Sequence, residues 1–256
     1  MNNNKVRQIL GVTIRRETVE NILENIKRGL SARERFAHVV SVNPENILLT
    51  LNDPLFKQIL NEAEFSINDG VGIVIASRML FGDFVPRLTG VDLMEKFIKV
   101  ASKESFRVLL IGGKHNFAEE LSNCYNRSCP ASKFTGVVGF KDVKQPKATE
   151  QQELLSIVAA VRPHLMFVAF GSPYQEKWIY ENRASLQGVT CIGVGGAFDF
   201  LSGRVRRAPK LIRDLGLEWL FRLVRQPWRW KRQLQLPLFI WLVLKQKYSQ
   251  SMAAKQ

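Results

Sequence analysis

This chain of 256 residues has little from which a disulfide framework or a metal centre is built. Its three cysteines, Cys124, Cys129 and Cys191, are too few and too irregularly spaced for either. The three histidines, His38, His115 and His164, show no ligand spacing such as H-E-x-x-H. Buried thiols and partly buried imidazoles are expected, with no part in catalysis. Long apolar runs are also missing. The longest, 236–244, is less than half of the roughly 20 residues that cross a bilayer, and it opens beside a proline. Residues 1–20 are polar and charged and lack the apolar stretch of a signal peptide. The expectation is a cytoplasmic body.

Acidic residues are scarce in one region only. Residues 201–256 carry 13 Lys/Arg against Asp214 and Glu218, so most of the net charge of +14 belongs to this tail. The preceding 200 residues, with 24 basic and 21 acidic side chains, are close to balanced. Such asymmetry points to an anionic partner: nucleic acid, lipid head groups or a diphosphate.

Those first 200 residues alternate short apolar runs with amphipathic segments. Strands are expected at 37–42, 64–67, 107–112, 133–138, 164–170 and 189–194. Helices are expected at 17–30, 53–63, 70–80, 91–102, 116–126, 150–161 and 173–186, and 140–148 reads as a loop. The runs Val108–Ile111 and Leu165–Phe170 are continuously apolar, as in strands buried on both faces. The pattern predicts an α/β fold, a doubly wound, mostly parallel, Rossmann-like sheet, over residues 1–200. A basic, aromatic helical appendage would occupy 201–256, closing the active site and meeting the membrane.

Ligands of such sheets bind beyond the carboxyl ends of the strands. There the chain places Ser41-Val-Asn-Pro-Glu45, Asn68-Asp69-Gly70, Gly112-Gly113-Lys114, Gly171-Ser-Pro-Tyr-Gln175-Glu176 and Gly193-Val-Gly195-Gly196-Ala-Phe-Asp199. Asn68-Asp69-Gly70 reads as a turn, with Asp69 as a helix N-cap or as a general base. The glycines after 193 allow close backbone approach to a phosphate. Phe198 stands where G-x-G-x-x-G needs its third glycine, and no Lys-Ser/Thr follows, which disfavours nicotinamide binding and Walker-type hydrolysis. Gln175 at the mouth of a crevice would offer a donor and an acceptor to a sugar or a base.

In the tail, Arg222, Arg225, Arg229 and Arg232 are spaced to line one helix face, provided Pro227 does not break it. Four of the five tryptophans lie in the same 56-residue tail. Arginine with Trp and Leu is the composition of an interfacial membrane helix, and equally of a helix whose aromatics complete the core. Arginines and aromatics also bind single-stranded nucleic acid, against which stands the high aliphatic content.

Taken together, these motifs, with Arg87-Leu-Thr-Gly-Val-Asp-Leu93, Lys177-Trp178 and Arg207-Ala-Pro209, resemble the WecG/TagA/CpsF glycosyltransferases over nearly the whole chain. The resemblance implies an inverting transferase for cell-surface polymers. It would move N-acetylmannosamine or its uronic acid from UDP to undecaprenyl-diphosphate-linked N-acetylglucosamine, with glucose or another hexose as the alternative donor sugar. By position it implies Asp69 as general base, with Ser41, Asn43, Arg87 and Gln175 lining the donor–acceptor pocket. Gly195, Gly196 and Asp199 would hold UDP, with Gly112, Gly171 and Gln175 on the same donor side. Arg222, Arg229 and Arg232 would meet the diphosphates. No cofactor and no metal are implied, and the sequence has no Asp-x-Asp dyad. The implied partners are UDP-sugar, the lipid-linked acceptor and an anionic membrane surface at the inner face of the cytoplasmic membrane. A homo-oligomer stays open, and nucleic acid is not expected. A nucleic-acid-binding protein and a silent membrane-surface adaptor are the readings from other classes.

Overall fold

The computed structural model of the chain describes residues 7–24, 36–227 and 230–253. A small hairpin comes first, β1 (Gln8–Ile9) and β2 (Val12–Thr13), turned by Leu10 and Gly11 at φ 50° and 82°. The sheet proper begins with β3 (Ala37–Val42), followed by α1 (Pro44–Leu49), α2 (Pro54–Glu62) and β4 (Phe65–Asn68). Next come α3 (Val71–Phe81), α4 (Gly90–Ala101), β5 (Arg107–Gly112), α5 (Phe117–Ser128) and β6 (Lys133–Val137). Then α6 (Ala148–Val161), β7 (Leu165–Ala169), α7 (Tyr174–Glu181), β8 (Thr190–Gly193) and α8 (Ala197–Leu201) complete the α/β body. The tail forms α9 (Lys210–Asp214), α10 (Glu218–Arg225), α11 (Trp230–Gln233) and α12 (Gln235–Ala253).

The six strands of the main sheet run in the order β4-β3-β8-β7-β5-β6, every neighbouring pair parallel. The expected doubly wound sheet is therefore present. Every residue of β7 and β8 is buried, because helices cover both faces, so these strands carry no alternation. On one face α4 packs Leu93, Met94 and Phe97 into a cluster with Phe167 and Phe198. On the other, Leu154, Trp178 and Ile179 join Met166, Val168 and Cys191.

Local signals set the helix starts. Asn43 caps α1, its Oδ1 accepting from Asn46 N at 2.8 Å, and Pro44 supplies a fixed φ in the first turn. Asp53 and Pro54 do the same for α2, as Thr89 caps α4. The helix α1 has no counterpart among the helices expected from sequence, although Asn-Pro-Glu is a capping signature. The helix expected over 173–186 divides into α7 and a 3₁₀ turn, Arg183–Leu186. Of the helix expected over 17–30, residues 19–24 are helical and 25–30 lie outside the described residues.

The tail contributes to the core. Phe239 and Val243 of α12 are fully buried among Ile9, Val12, Ile47 and Ile73. Gln246 ties α12 to the hairpin, accepting from Leu10 N at 2.9 Å and donating to Gln8 O at 2.8 Å. The opposite face of α12 exposes Leu238, Trp241, Leu244 and Tyr248. One face of α12 thus completes the core and the other stays exposed. Among the described residues no helix is long and apolar enough to cross a membrane.

Two expectations about the sulfur and imidazole groups need correction. Cys129 and Cys191 are buried, but Cys124 is exposed. His38 is enclosed completely, and that burial pushes its pKa down to about 3, so it is a neutral core residue.

Candidate active site

The carboxyl ends of β4, β3, β8 and β7 lie side by side. The chain leaves β3 toward one sheet edge and β5 toward the other, the reversal at which such sheets form their binding crevice. Asp69 follows β4 directly, and its backbone N–H is fixed to Val42 O at 2.8 Å. Its side chain is half-buried. Burial pushes the carboxyl up to about 7; the like charges of Glu218 and Asp92 add to this, while Arg222 and Arg87 pull the other way. A carboxylate poised there can take a proton near neutrality.

Arg87 is held next to Asn68, one residue before Asp69. The segment beside β4 forms a parallel bridge, Asn68 with Arg87, and Leu88 N donates to Asn68 O at 3.0 Å. Arg87 also donates to Arg213 O, which joins it to the tail. Ser41 is buried beneath the start of α4: a Cβ on Gly90 would lie 4.0 Å from its hydroxyl and 3.8 Å from Val194 backbone. Asn43 sits at the same strand end, with its oxygen engaged as the cap of α1.

The glycine-rich ends divide into two kinds. Gly171 and Gly195 have φ of 81° and 50°, and no atom lies within 4 Å of where a Cβ would stand. Their open faces, with exposed Gly196, border the crevice. Gly112, assigned to the donor side from sequence, differs. A Cβ there would lie 2.9 Å from the Phe170 ring, and at Gly113 the same distance from Phe198. These two glycines make room for core aromatics, so no open face remains at Gly112 for a phosphate.

Gln175 also departs from the sequence reading. It is 2 % exposed, and its amide is spent inside the protein. Oε1 accepts from Gly171 N and Gly195 N at 3.1 and 3.0 Å, and Nε2 donates to Glu176 Oε1 at 2.8 Å. It stands behind the crevice rather than at its mouth.

The appendage reaches over Asp69. Pro227 does break the arginine stripe: α10 ends at Arg225, and Arg229 lies outside the described residues. Arg222 stacks on Phe200 with its guanidinium carbon 4.7 Å from the ring centre. Its Nη2 is 3.9 Å from where a Gly196 Cβ would be, and Asp199 Oδ2 is 3.8 Å from the same point. Burial lowers the Arg222 pKa, against the pull of Glu218, Asp69 and Asp199, and its Nε has no hydrogen-bond partner. A half-buried cation with a spare donor beside an exposed glycine turn is suited to an incoming anion. Arg232 instead pairs with Glu45 on α1.

Sequence reasoning gave no role to three residues of this cluster, Arg207, Asp92 and Glu218. Arg207 is held by Asp92 at 2.7 Å, Glu218 at 3.4 Å and Glu95 at 3.7 Å, and it donates to Thr89 Oγ1 at 3.1 Å. It thereby fastens α10 to the start of α4. Glu218 and Asp92, which raise the Asp69 pKa, were visible only as ordinary acids, although Glu218 is one of two in a basic tail. Among the described residues no three His, Cys, Asp or Glu side chains gather as a metal site. Beside Gly72, Leu236 enters an open apolar groove of about 510 Å³ lined also by Trp219, Pro237, Ile240, Trp241 and Leu244.

This arrangement can be set beside known proteins. The glycosyl transferase WecG/TagA/CpsF family matches residues 7–253. An N-acetylglucosaminyldiphosphoundecaprenol N-acetyl-beta-D-mannosaminyltransferase of Bacillus subtilis (strain 168) is 33% identical over 213 residues, 82% of this chain and 80% of the relative. The protein of the same name from Bacillus spizizenii is 33% identical over 210 residues, 82% and 79% of the two chains. That of Staphylococcus aureus (strain MW2) is 28% identical over 240 residues, covering 93% and 92%. The match spans the crevice, Asp69 and the appendage alike, and the chain belongs to the WecG/TagA/CpsF family of glycosyltransferases.

Proposed function

We propose that this chain transfers a sugar, N-acetylmannosamine first among the candidates, from UDP to undecaprenyl-diphosphate-linked N-acetylglucosamine, with inversion at the anomeric carbon. The observation that carries the reading is Asp69: a half-buried carboxyl at a strand end, raised to about 7, with Arg87 and Arg222 near it. The relatives' names supply the sugar and the acceptor.

In the proposed step Asp69 accepts the proton of an acceptor hydroxyl as that oxygen attacks C1 of the donor sugar. The bond from C1 to the diphosphate oxygen breaks on the opposite face, and UDP leaves with the electron pair. Arg222 neutralises the charge growing on the diphosphate, while Gly171, Gly195, Gly196 and Asp199 border the UDP moiety. Arg87, held beside Asp69, orients the acceptor. We propose that the reaction needs no metal, since arginine supplies the positive charge.

The acceptor is anchored in lipid, and the exposed Leu238, Trp241 and Leu244, next to Lys245 and Lys247, support docking on an anionic bilayer at its cytoplasmic face. The same apolar face would equally serve a second copy. Sedimentation with and without anionic vesicles separates the two.

The test is UDP release from a panel of UDP-sugars, with and without a lipid-diphosphate-N-acetylglucosamine analogue, in EDTA. Acceptor-dependent release from UDP-N-acetylmannosamine is expected. Release from UDP-glucose alone would change the donor, and absence of UDP binding would overturn the reading.

A further inference from the structure

Behind the crevice, the first turn of α7 turns two consecutive polar side chains inward. Gln175 is 2 % exposed and Glu176 is fully buried. Adjacent residues of a helix point about 100° apart, so sending both inward takes space, and that space comes from β8. A Cβ on Gly193 would stand 2.6 Å from Gln175 Nε2 and 3.1 Å from Glu176 Oε1.

Hydrogen bonding fixes which way the Gln175 amide faces. Its oxygen accepts from Gly171 N at 3.1 Å and Gly195 N at 3.0 Å, one donor from each of the two open glycine turns. Backbone N–H groups only donate, so the amide nitrogen cannot take that place. On the other side Glu176 Oε1 accepts from Gln175 Nε2 at 2.8 Å and from Ser172 Oγ at 2.9 Å. The carboxyl thus selects the amide orientation that joins the turns. Glu176 Oε2 has no partner, and burial raises the pKa of this group. Burying a carboxyl with one oxygen unsatisfied is costly, and an apolar residue would fill the position at lower cost.

We propose that Glu176 is a positioning residue for the donor site. By orienting the Gln175 amide it makes that side chain a staple across the turns after β7 and β8, and so sets the separation of the two glycine faces that receive the donor diphosphate. The inference rests on the glycosyltransferase reading for its ligand. Glu176 itself touches no substrate. Gln175 acts from behind the turns rather than on the sugar.

The experiment compares Glu176→Leu, Glu176→Gln, Gln175→Glu and the exchanged pair Gln175→Glu with Glu176→Gln. Each is measured for UDP affinity by calorimetry, for KM and kcat with UDP-N-acetylmannosamine and the acceptor analogue, and for amide exchange at Gly171 and Gly195. In Glu176→Leu the amide nitrogen loses its acceptor and the staple loosens: KM for the donor rises about 10- to 100-fold with a smaller change in kcat, and both glycine amides lose protection. Glu176→Gln keeps an acceptor oxygen toward Gln175 and recovers most of that loss. Gln175→Glu sets carboxyl against carboxyl and weakens UDP binding. The exchanged pair restores a donor–acceptor match and regains at least about tenfold over that single variant.

Equal affinity for UDP in wild type and Glu176→Leu, or an exchanged pair no better than Gln175→Glu, would overturn the proposal. So would recovery of melting temperature without recovery of donor KM, which marks a role in stability alone. Failure of the functional reading is distinct. A wild-type protein that binds no UDP removes the ligand, while the amide exchange of Gly171 and Gly195 in Glu176→Leu still decides whether the staple exists.

Discussion

At the β4 end of the crevice Asp69 faces arginines and other carboxyls, while between β7 and β8 Glu176 faces only an amide and a hydroxyl. Burial raises both, but their surroundings differ in kind. Around Asp69 the charges come from separate elements, Arg87 before α4, Asp92 within it, Glu218 and Arg222 on α10, so the balance depends on how the appendage sits. Around Glu176 both side-chain partners, Ser172 and Gln175, lie within five residues along the chain and carry no charge. The first arrangement can respond to a substrate's charge. The second can hold geometry constant while that charge changes.

Removing the proton acceptor should break this contrast most severely. Asp69→Asn is expected to lower kcat about 10²- to 10⁴-fold in the UDP-release assay, with donor affinity retained. The same substitution bears on stability. Because the folded protein binds the Asp69 proton more tightly than an unfolded chain does, its contribution is complete below 3.8 and is lost as pH rises through about 7. Asp69→Asn should therefore melt higher than wild type at pH 8, with the difference shrinking toward pH 5.

Next in size is Gly193→Ala, which crowds the staple. A Cβ 2.6 Å from Gln175 Nε2 must displace it, at a cost of about 1–3 kcal/mol by denaturant unfolding, together with a rise in donor KM.

Smaller shifts would sharpen the ionic side. Activity should rise with pH along a limb near 7. Glu218→Gln, by removing a like charge, should move that limb to lower pH, and Arg222→Met should move it up. Opposite directions in kcat against pH are the result to look for; the same direction in both would mean that the appendage does not sit over Asp69. The smallest effect is expected from Arg232→Ala. Its pairing with Glu45 is solvent-exposed, so unfolding free energy should change by less than about 1 kcal/mol.

β5 and β7 were legible because they are buried on both faces and so read as unbroken apolar runs, as in Val108–Ile111. Asp69 could be located because Asn68-Asp69-Gly70 marks a turn after a short strand. Its neighbours could not: Glu218 and Arg222 are some 150 residues away in sequence, and only the path of the appendage brings them near. The direction of a side chain was equally out of reach. Gln175 and Gly112 occupy strand ends as expected, yet one turns its amide inward and the other yields its free face to Phe170.

By itself, then, the sequence determined what depends on neighbours along the chain: the α/β alternation, the glycine turns and the charge of the tail, with the caps at Asp53 and Thr89 equally local though seen only in the structure. Asn43 with Pro44 belongs to that class too, although its helix was overlooked. Tertiary structure alone decided the Asp69 environment, the division of the aromatic tail into a buried and an exposed face, and the staple across two strand ends. Periodicity and capping are local, whereas burial and electrostatic coupling depend on distances that exist only once the chain has closed on itself.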